Sequence, residues 1–317
     1  MPPLTAATTA FVFPGQGSQA VGMGRDLAQA SPAARRVFAE ADDVLGFALS
    51  ALCWDGPEAD LNTTVNTQPA LLVCSLAALA AVREKLGPFQ PAFYAGHSVG
   101  EVTALVAAGS IAFADGVRLV RARGEAMAAA GRAAPGGMAA ILGLDAPVLA
   151  EVCAEAAAAS GGVVQVANDN CPGQVVLSGE SAALEKAMEL AKARGARRAM
   201  RLAVSVAAHS PLMASGLEPY RAAVDALALR PPLVPVISNI TAEPLPGVDA
   251  IRAELPAQLT TQVRWTDSVR YLVARGMTTF VELGPKDVLT GLLKRIAANT
   301  TGIAVGTPET LAQLEAA

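Results

Sequence analysis

The feature that most limits what this chain can fold into is an alternation of short apolar runs with long alanine-rich stretches of helical character. The runs lie at 10–13, 92–95, 234–238 and 278–283, and each ends in a glycine, proline, serine or asparagine cluster. Strands of this length separated by helices build an α/β sheet covered by helices. Such sheets carry their working residues on loops at the strand ends. With 317 residues the chain can bury a large core, which fits one big domain with an insertion, or two domains.

One stretch keeps a different rhythm. Residues 136–205 read as strand (138–144), helix (146–159), strand (163–167), strand (174–178), helix (181–194) and strand (198–204), the order of a ferredoxin-like unit. The run Ala-Ala-Pro-Gly-Gly at 133–137 supplies a flexible entry to it. The expected plan is a large domain from 1–135 and 206–317, with 136–205 inserted as a small ferredoxin-like domain.

Composition excludes several classes of function. A net charge of −4 and 4% aromatic residues give neither the basic footprint nor the stacking platforms of a nucleic-acid binder. The longest nearly apolar stretch, 69–82, falls short of a bilayer's thickness and reads as a buried helix. Residues 11–14 look like a first strand and no basic segment precedes them, so a cytoplasmic protein without a leader is expected. Cys53, Cys74, Cys153 and Cys171 are scattered without paired spacing, which suits free thiols and argues against a metal site.

Only two histidines occur, His97 and His209, so the search for a serine and its base has almost no degeneracy. Gly96-His97-Ser98-Val99-Gly100 follows the 92–95 strand and precedes a helical pattern over 99–108 that Gly109 ends. Strand, tight turn and helix are the context of a nucleophile elbow, with Ser98 exposed at the turn and the Val99 amide as oxyanion donor. His97 adjoins Ser98, and adjacent side chains at a sharp turn point apart. His209, on a loop after the run 202–206, is therefore the better base, and His97 shapes the turn. Ser210 and Pro211 suit the N-cap and first position of a following helix.

Arg123 bears on the substrate. On a helical wheel over 115–130, Leu119, Val120, Ala126 and Met127 define an apolar arc, Arg118, Arg121 and Glu125 fall opposite, and Arg123 lands within the arc. A buried arginine must be paired. Two partners are open: a protein carboxylate in a structural ion pair, or the carboxylate of a substrate gripped bidentately. The loop Phe13-Pro14-Gly15-Gln16-Gly17-Ser18-Gln19 lacks the lysine of a phosphate loop, and Gln16 could bring its own amide toward the catalytic centre.

Six spaced motifs then carry a resemblance: Gly15-Gln16-Gly17-Ser18-Gln19; Gly96 through Glu101; Arg123-Gly124 with Met127; Asn239; Gln258-Leu259 with Val263-Arg264-Trp265; and Glu282-Leu283-Gly284-Pro285. Together, over residues 11–296, the chain resembles the malonyl-CoA:acyl carrier protein transacylase family. The resemblance implies a large α/β-hydrolase-like domain with a mostly parallel sheet plus the small ferredoxin-like insert. It implies an acyltransferase that moves malonyl from malonyl-CoA to the phosphopantetheine thiol of acyl carrier protein through a malonyl-serine, supplying fatty acid synthesis without a bound cofactor.

By that resemblance Ser98 matches the nucleophile, His209 the base, Gln16 and Val99 the backbone oxyanion donors, and Arg123 with Met127 the malonyl site. Gln258 matches the residue whose main-chain carbonyl orients the histidine, and His97 and Asn239 match supporting positions. The pattern departs at Ala208 and Gln262. A monomer is expected, and an acidic carrier would meet a basic patch at Lys286, Lys294 and Arg295. Alternatives are a trans-acting acyltransferase of a polyketide synthase, the transacylase subunit of a malonate decarboxylase, a serine acyl hydrolase, and a non-catalytic carrier-binding module.

Overall fold

The computed structural model describes residues 3–204 and 206–315. Its strands in chain order are β1 (Thr9–Phe13), β2 (Phe93–Gly96), β3 (Gly137–Leu142), β4 (Val164–Cys171), β5 (Gln174–Gly179), β6 (Arg198–Arg201), β7 (Val236–Ile237), β8 (Thr279–Leu283) and β9 (Thr301–Val305). β1 is buried at every position, so both its faces must be covered. Phe11 and Phe13 pack into one apolar cluster and Ala10 and Val12 into another across the sheet, as strand alternation requires. The sheet runs β7-β2-β1-β8-β9 with every pairing parallel.

Three expectations change. The 234–238 strand shrinks to Val236–Ile237, because Pro231, Pro232 and Pro235 supply no N–H for a ladder. β9 was not anticipated; its Thr-Gly start is exposed and only Ile303 and Val305 are buried, so it gives no continuous apolar run. The 69–82 stretch belongs to a longer helix, Thr64–Leu86, that starts before Pro69 and tolerates it inside. By length and mean hydropathy, 1.6, this helix could cross a membrane, but 83% of its apolar window is buried within the fold. It is the central core helix, packed between the sheet and the helix Phe113–Ala133.

The second sheet, in order β4-β5-β3-β6, is antiparallel throughout, and that order is the ferredoxin-like one. Helices Ala146–Ser160 and Ser181–Ala193 cover one face. Ile141, Val175 and Leu177 point to them and join Leu149, Val152 and Leu184 in a separate apolar cluster. The alternate residues Met138, Ala140 and Val176 line a cavity on the other face. β6 ends at Arg201 rather than at 204, and Ser205, the expected outer limit of the insert, lies outside the described residues.

β4 runs four residues beyond its expected end. Two register irregularities, at 166/168 and 169/171, bend it onto the large sheet's side of the molecule. There Asn168 bridges to Val263 in parallel, and Thr266 donates to Asp169 at 2.8 Å. The cavity between insert and main sheet thus opens at the carboxyl ends of β1 and β2.

Candidate active site

Two strand ends meet backbone to backbone at the site. A Cβ on Gly96 would stand 1.9 Å from the Gly100 carbonyl oxygen, and one on Gly100 would stand 2.2 Å from that of Phe13, so neither position admits a side chain. Gly15 is equally confined, 2.6 Å from the His97 oxygen. Between the two elbow glycines Ser98 adopts φ 54°, strained for a residue with a Cβ and typical of a tightly determined functional turn. Val99 is the first residue of the helix Val99–Ala107, so its N–H has no intrahelical acceptor. Gln16 and Val99 both line the cavity beside Ser98.

The Ser98 hydroxyl lies 2.8 Å from His209 Nε2. On the other side of the ring, Nδ1 lies 2.8 Å from the main-chain oxygen of Gln258. A carbonyl can only accept, so Nδ1 carries the proton and Nε2 presents its lone pair to the serine. Burial, then the Arg123 charge, pushes the His209 pKa from 6.5 down to about 3, which leaves the imidazole neutral at physiological pH. His209 has φ 59° and precedes a 3-10 turn, Pro211–Gly216, and not an α-helix; Ser210 makes no side-chain cap and donates instead to the Ala207 carbonyl at 2.6 Å.

Arg123 is 1% exposed, as its place on the apolar arc requires. Nη1 donates to Gln68 Oε1 at 2.9 Å; Nη2 donates to Gln258 Oε1 at 2.8 Å and to Ser98 Oγ at 3.2 Å. Its Nε–H is buried without an acceptor. Among the described residues no ion pair includes it. Neutral amides therefore hold this guanidinium in place. Gly124 makes this possible: a Cβ there would sit 2.8 Å from the Thr64 oxygen, and its absence lets the two helices approach until Gln68 reaches Arg123. Met127, one turn on, lines the cavity and accepts from Gln68 Nε2 at 3.3 Å.

Beneath these groups lies a buried polar web. Asn239 accepts the Ser98 N–H at 2.7 Å and donates to the Gly96 carbonyl at 2.7 Å, fixing the peptides around the elbow. Glu101 accepts from the Asn239 N–H at 2.9 Å and from Gln258 Nε2 at 2.8 Å, which turns the Gln258 oxygen toward Arg123. Burial, reinforced by the neighbouring Glu254 carboxyl, raises Glu101 well above the usual carboxylate range. His97 turns away from the hydroxyl, pairing through Nε2 with Asn170 Oδ1 at 2.8 Å and packing on Trp265.

The whole constellation opens on a cavity of about 280 Å³ with apolar walls from Met138, Val176, Leu202 and Val206. A family pattern described as the acyl transferase domain matches residues 10–307. The malonyl CoA-acyl carrier protein transacylase of Bacillus subtilis is 47% identical over 302 residues, covering 95% of this chain and 94% of its own. The chain belongs to the malonyl-CoA:acyl carrier protein transacylase family. A crystal structure of such a transacylase from Xanthomonas oryzae pv. oryzae superposes with a TM-score of 0.93 at 45% identity, covering 98% of both chains. A malonyl-transacylase in complex with a type II polyketide acyl-carrier protein superposes at 0.92, with 43% identity over 96% of this chain and 97% of that one.

For this acyltransferase chain the structure brings Ser98, His209, Arg123, Gln16, Val99, Met127, His97, Asn239 and Gln258 around one cavity or directly behind it. Sequence reasoning gave no role to Gln68, Glu101, Asn168 or Asn170. Gln68 adjoins the first residue of the apolar stretch, and extending the helix by one turn would have shown an amide on a buried face. Of the basic trio, Lys286 donates to the Gly17 carbonyl at 3.3 Å, and Arg295 is tied to Pro172 and Gln174 of the insert. Among the described residues no group of three or more His, Cys, Asp or Glu could hold a metal, and the four cysteines are free and buried.

Proposed function

We propose that this enzyme transfers malonyl groups from malonyl-CoA to the phosphopantetheine thiol of an acyl carrier protein, through a malonyl ester on Ser98, for fatty acid synthesis. His209 Nε2 takes the Ser98 proton as the oxygen attacks the thioester carbonyl. The oxyanion rests on the N–H groups of Val99 and Gln16, the C–S bond breaks, and His209 returns the proton to the departing CoA sulfur. The carrier thiol then attacks the ester and the same steps run in reverse. No bound cofactor is needed, every group comes from a single copy of the chain, and a cytoplasmic setting suits both substrates.

The observation that carries this reading is Arg123: a buried cation held by amides, whose Nη2 lies 3.2 Å from the attacking oxygen and whose Nε–H has no acceptor. The free malonyl carboxylate would take that donor and one of the Nη2 hydrogens. Binding would also offset the charge that depresses His209, so the base gains proton affinity as the substrate arrives. The deciding experiment is intact mass after brief exposure to malonyl-CoA, acetyl-CoA and methylmalonyl-CoA separately. A malonyl adduct that exceeds the acetyl one and is absent in Ser98→Ala is expected; an adduct persisting in that variant overturns the assignment. A polyketide carrier is the second reading, because a chain of this fold is seen holding one. Comparing the two carrier classes as acceptors separates them.

A further inference from the structure

Gln165 lies on β4, in the insert, away from the reacting atoms. Its side-chain amide nevertheless reaches across to the main domain, where Nε2 donates to the main-chain oxygen of His209 at 2.7 Å and to that of Thr260 at 3.2 Å. A primary amide has two N–H donors, and both are spent here. One recipient belongs to the residue that carries the imidazole. The other sits two residues beyond Gln258, whose carbonyl holds Nδ1.

We infer that Gln165 is a positioning residue for the base: one amide group pins both the peptide bearing His209 and the turn bearing its acceptor, and so fixes the 2.8 Å contact between them. The inference rests on the reading of His209 as the base. Two features make the clamp consequential. His209 has a positive φ, a conformation that persists only where neighbouring contacts enforce it. Gln165 is itself held, because β4 is fastened to the main domain at Asn168–Val263, Asp169–Thr266 and Asn170–His97. The insert therefore serves as part of the catalytic frame as well as a wall of the cavity.

The test uses the full chain with rapid-quench intact mass to follow acylation of Ser98 by malonyl-CoA and acetyl-CoA, alongside the thermal midpoint of each variant. Gln165→Met keeps length and loses both donors; Gln165→Lys restores donors; Gln165→Glu sets a carboxylate against two carbonyls. The maximal acylation rate of Gln165→Met should fall roughly 10- to 10²-fold, the scale on which small misplacements act. The half-saturating malonyl-CoA concentration should stay close to wild type, and both acyl groups should lose the same factor. Rates should fall in the order glutamine, lysine, methionine, glutamate: two donors in place, donors on a longer stem, no donor, and a carboxylate against two carbonyls. A wild-type rate in Gln165→Met, with His209→Ala crippled in the same assay, overturns the inference and leaves the base assignment standing. Rates that follow the thermal midpoints and not that order also overturn it. If His209→Ala acylates normally, both fall together.

Discussion

At the scale of single residues, the role proposed for the Arg123 charge is to select which acyl groups the site accepts. Removing one partner of a desolvated charged pair costs about 3–5 kcal/mol, so Arg123→Ala should slow malonyl transfer by roughly 10² to 5 × 10³. Acetyl transfer should lose far less, because an uncharged acyl group forgoes no ion pair; equal losses would make Arg123 a structural member only. The depressed His209 pKa makes a second prediction. Free-enzyme kcat/KM should stay level between about pH 7 and pH 5, with its acid limb well below the ordinary 6.5, whereas the kcat limb lies higher because bound malonyl offsets Arg123. A kcat/KM limb at 6.5 counts against the buried, neutral base. The same shift works against the fold in acid: a histidine whose folded pKa lies below its unfolded value withdraws stability as pH falls from 6.5 toward 3. Ser98, His209 and Arg123 were legible in the sequence because each violates its local pattern: a serine between turn glycines, one of two histidines, a cation on an apolar arc. Gln68, Glu101 and Gln165 were not, because an amide or carboxyl on an ordinary helix or strand takes its role from partners between 44 and 157 residues away along the chain, such as Gln258 and His209.

Elements show a different limit. The elbow stands because two strand ends touch without side chains between them, so Gly100→Ala should destabilise the fold by about 2 kcal/mol or more and open the turn. Gly291, inside the helix Val288–Ile296, has open space where its Cβ would go. Gly291→Ala should instead stabilise by up to about 1 kcal/mol, the helix-propensity difference. Urea titration of the two variants checks both signs, and a neutral Gly100→Ala would mean that the backbone contact is soft. Of the strands, β1, β2 and β8 could be read from sequence because burial on both faces makes them largely apolar runs, with Glu282 of β8 the one charged exception. β7 was read too long, since prolines shorten it, and β9 was not read, because it is half exposed at the sheet's edge. The insert was readable in full order because its pairings are local, although the bulged extension of β4 that reaches the site left no periodic signal.

Across the whole molecule, the proposed meeting with a carrier protein is a matter of surface charge. All three residues of the expected patch are exposed, but Arg295 is committed to joining its helix to the insert, which leaves the two lysines to be tested. Reversing both lysines should raise the Michaelis constant for an acidic carrier more than for malonyl-CoA, and the difference should shrink with added salt. Equal effects on the two substrates would remove this patch from consideration. Strand order has a further consequence, for how the chain is made. Thr9 pairs with Thr279, so the central strand waits on one ladder until residue 279, some 270 positions further along the chain, has left the ribosome. Throughout that interval the apolar helix Thr64–Leu86 has emerged without the finished sheet to cover it. The insert, with nearby partners, can close by itself during synthesis, while the main domain depends on the last strands to seal a segment that nascent-chain chaperones and membrane-targeting factors would otherwise compete to hold.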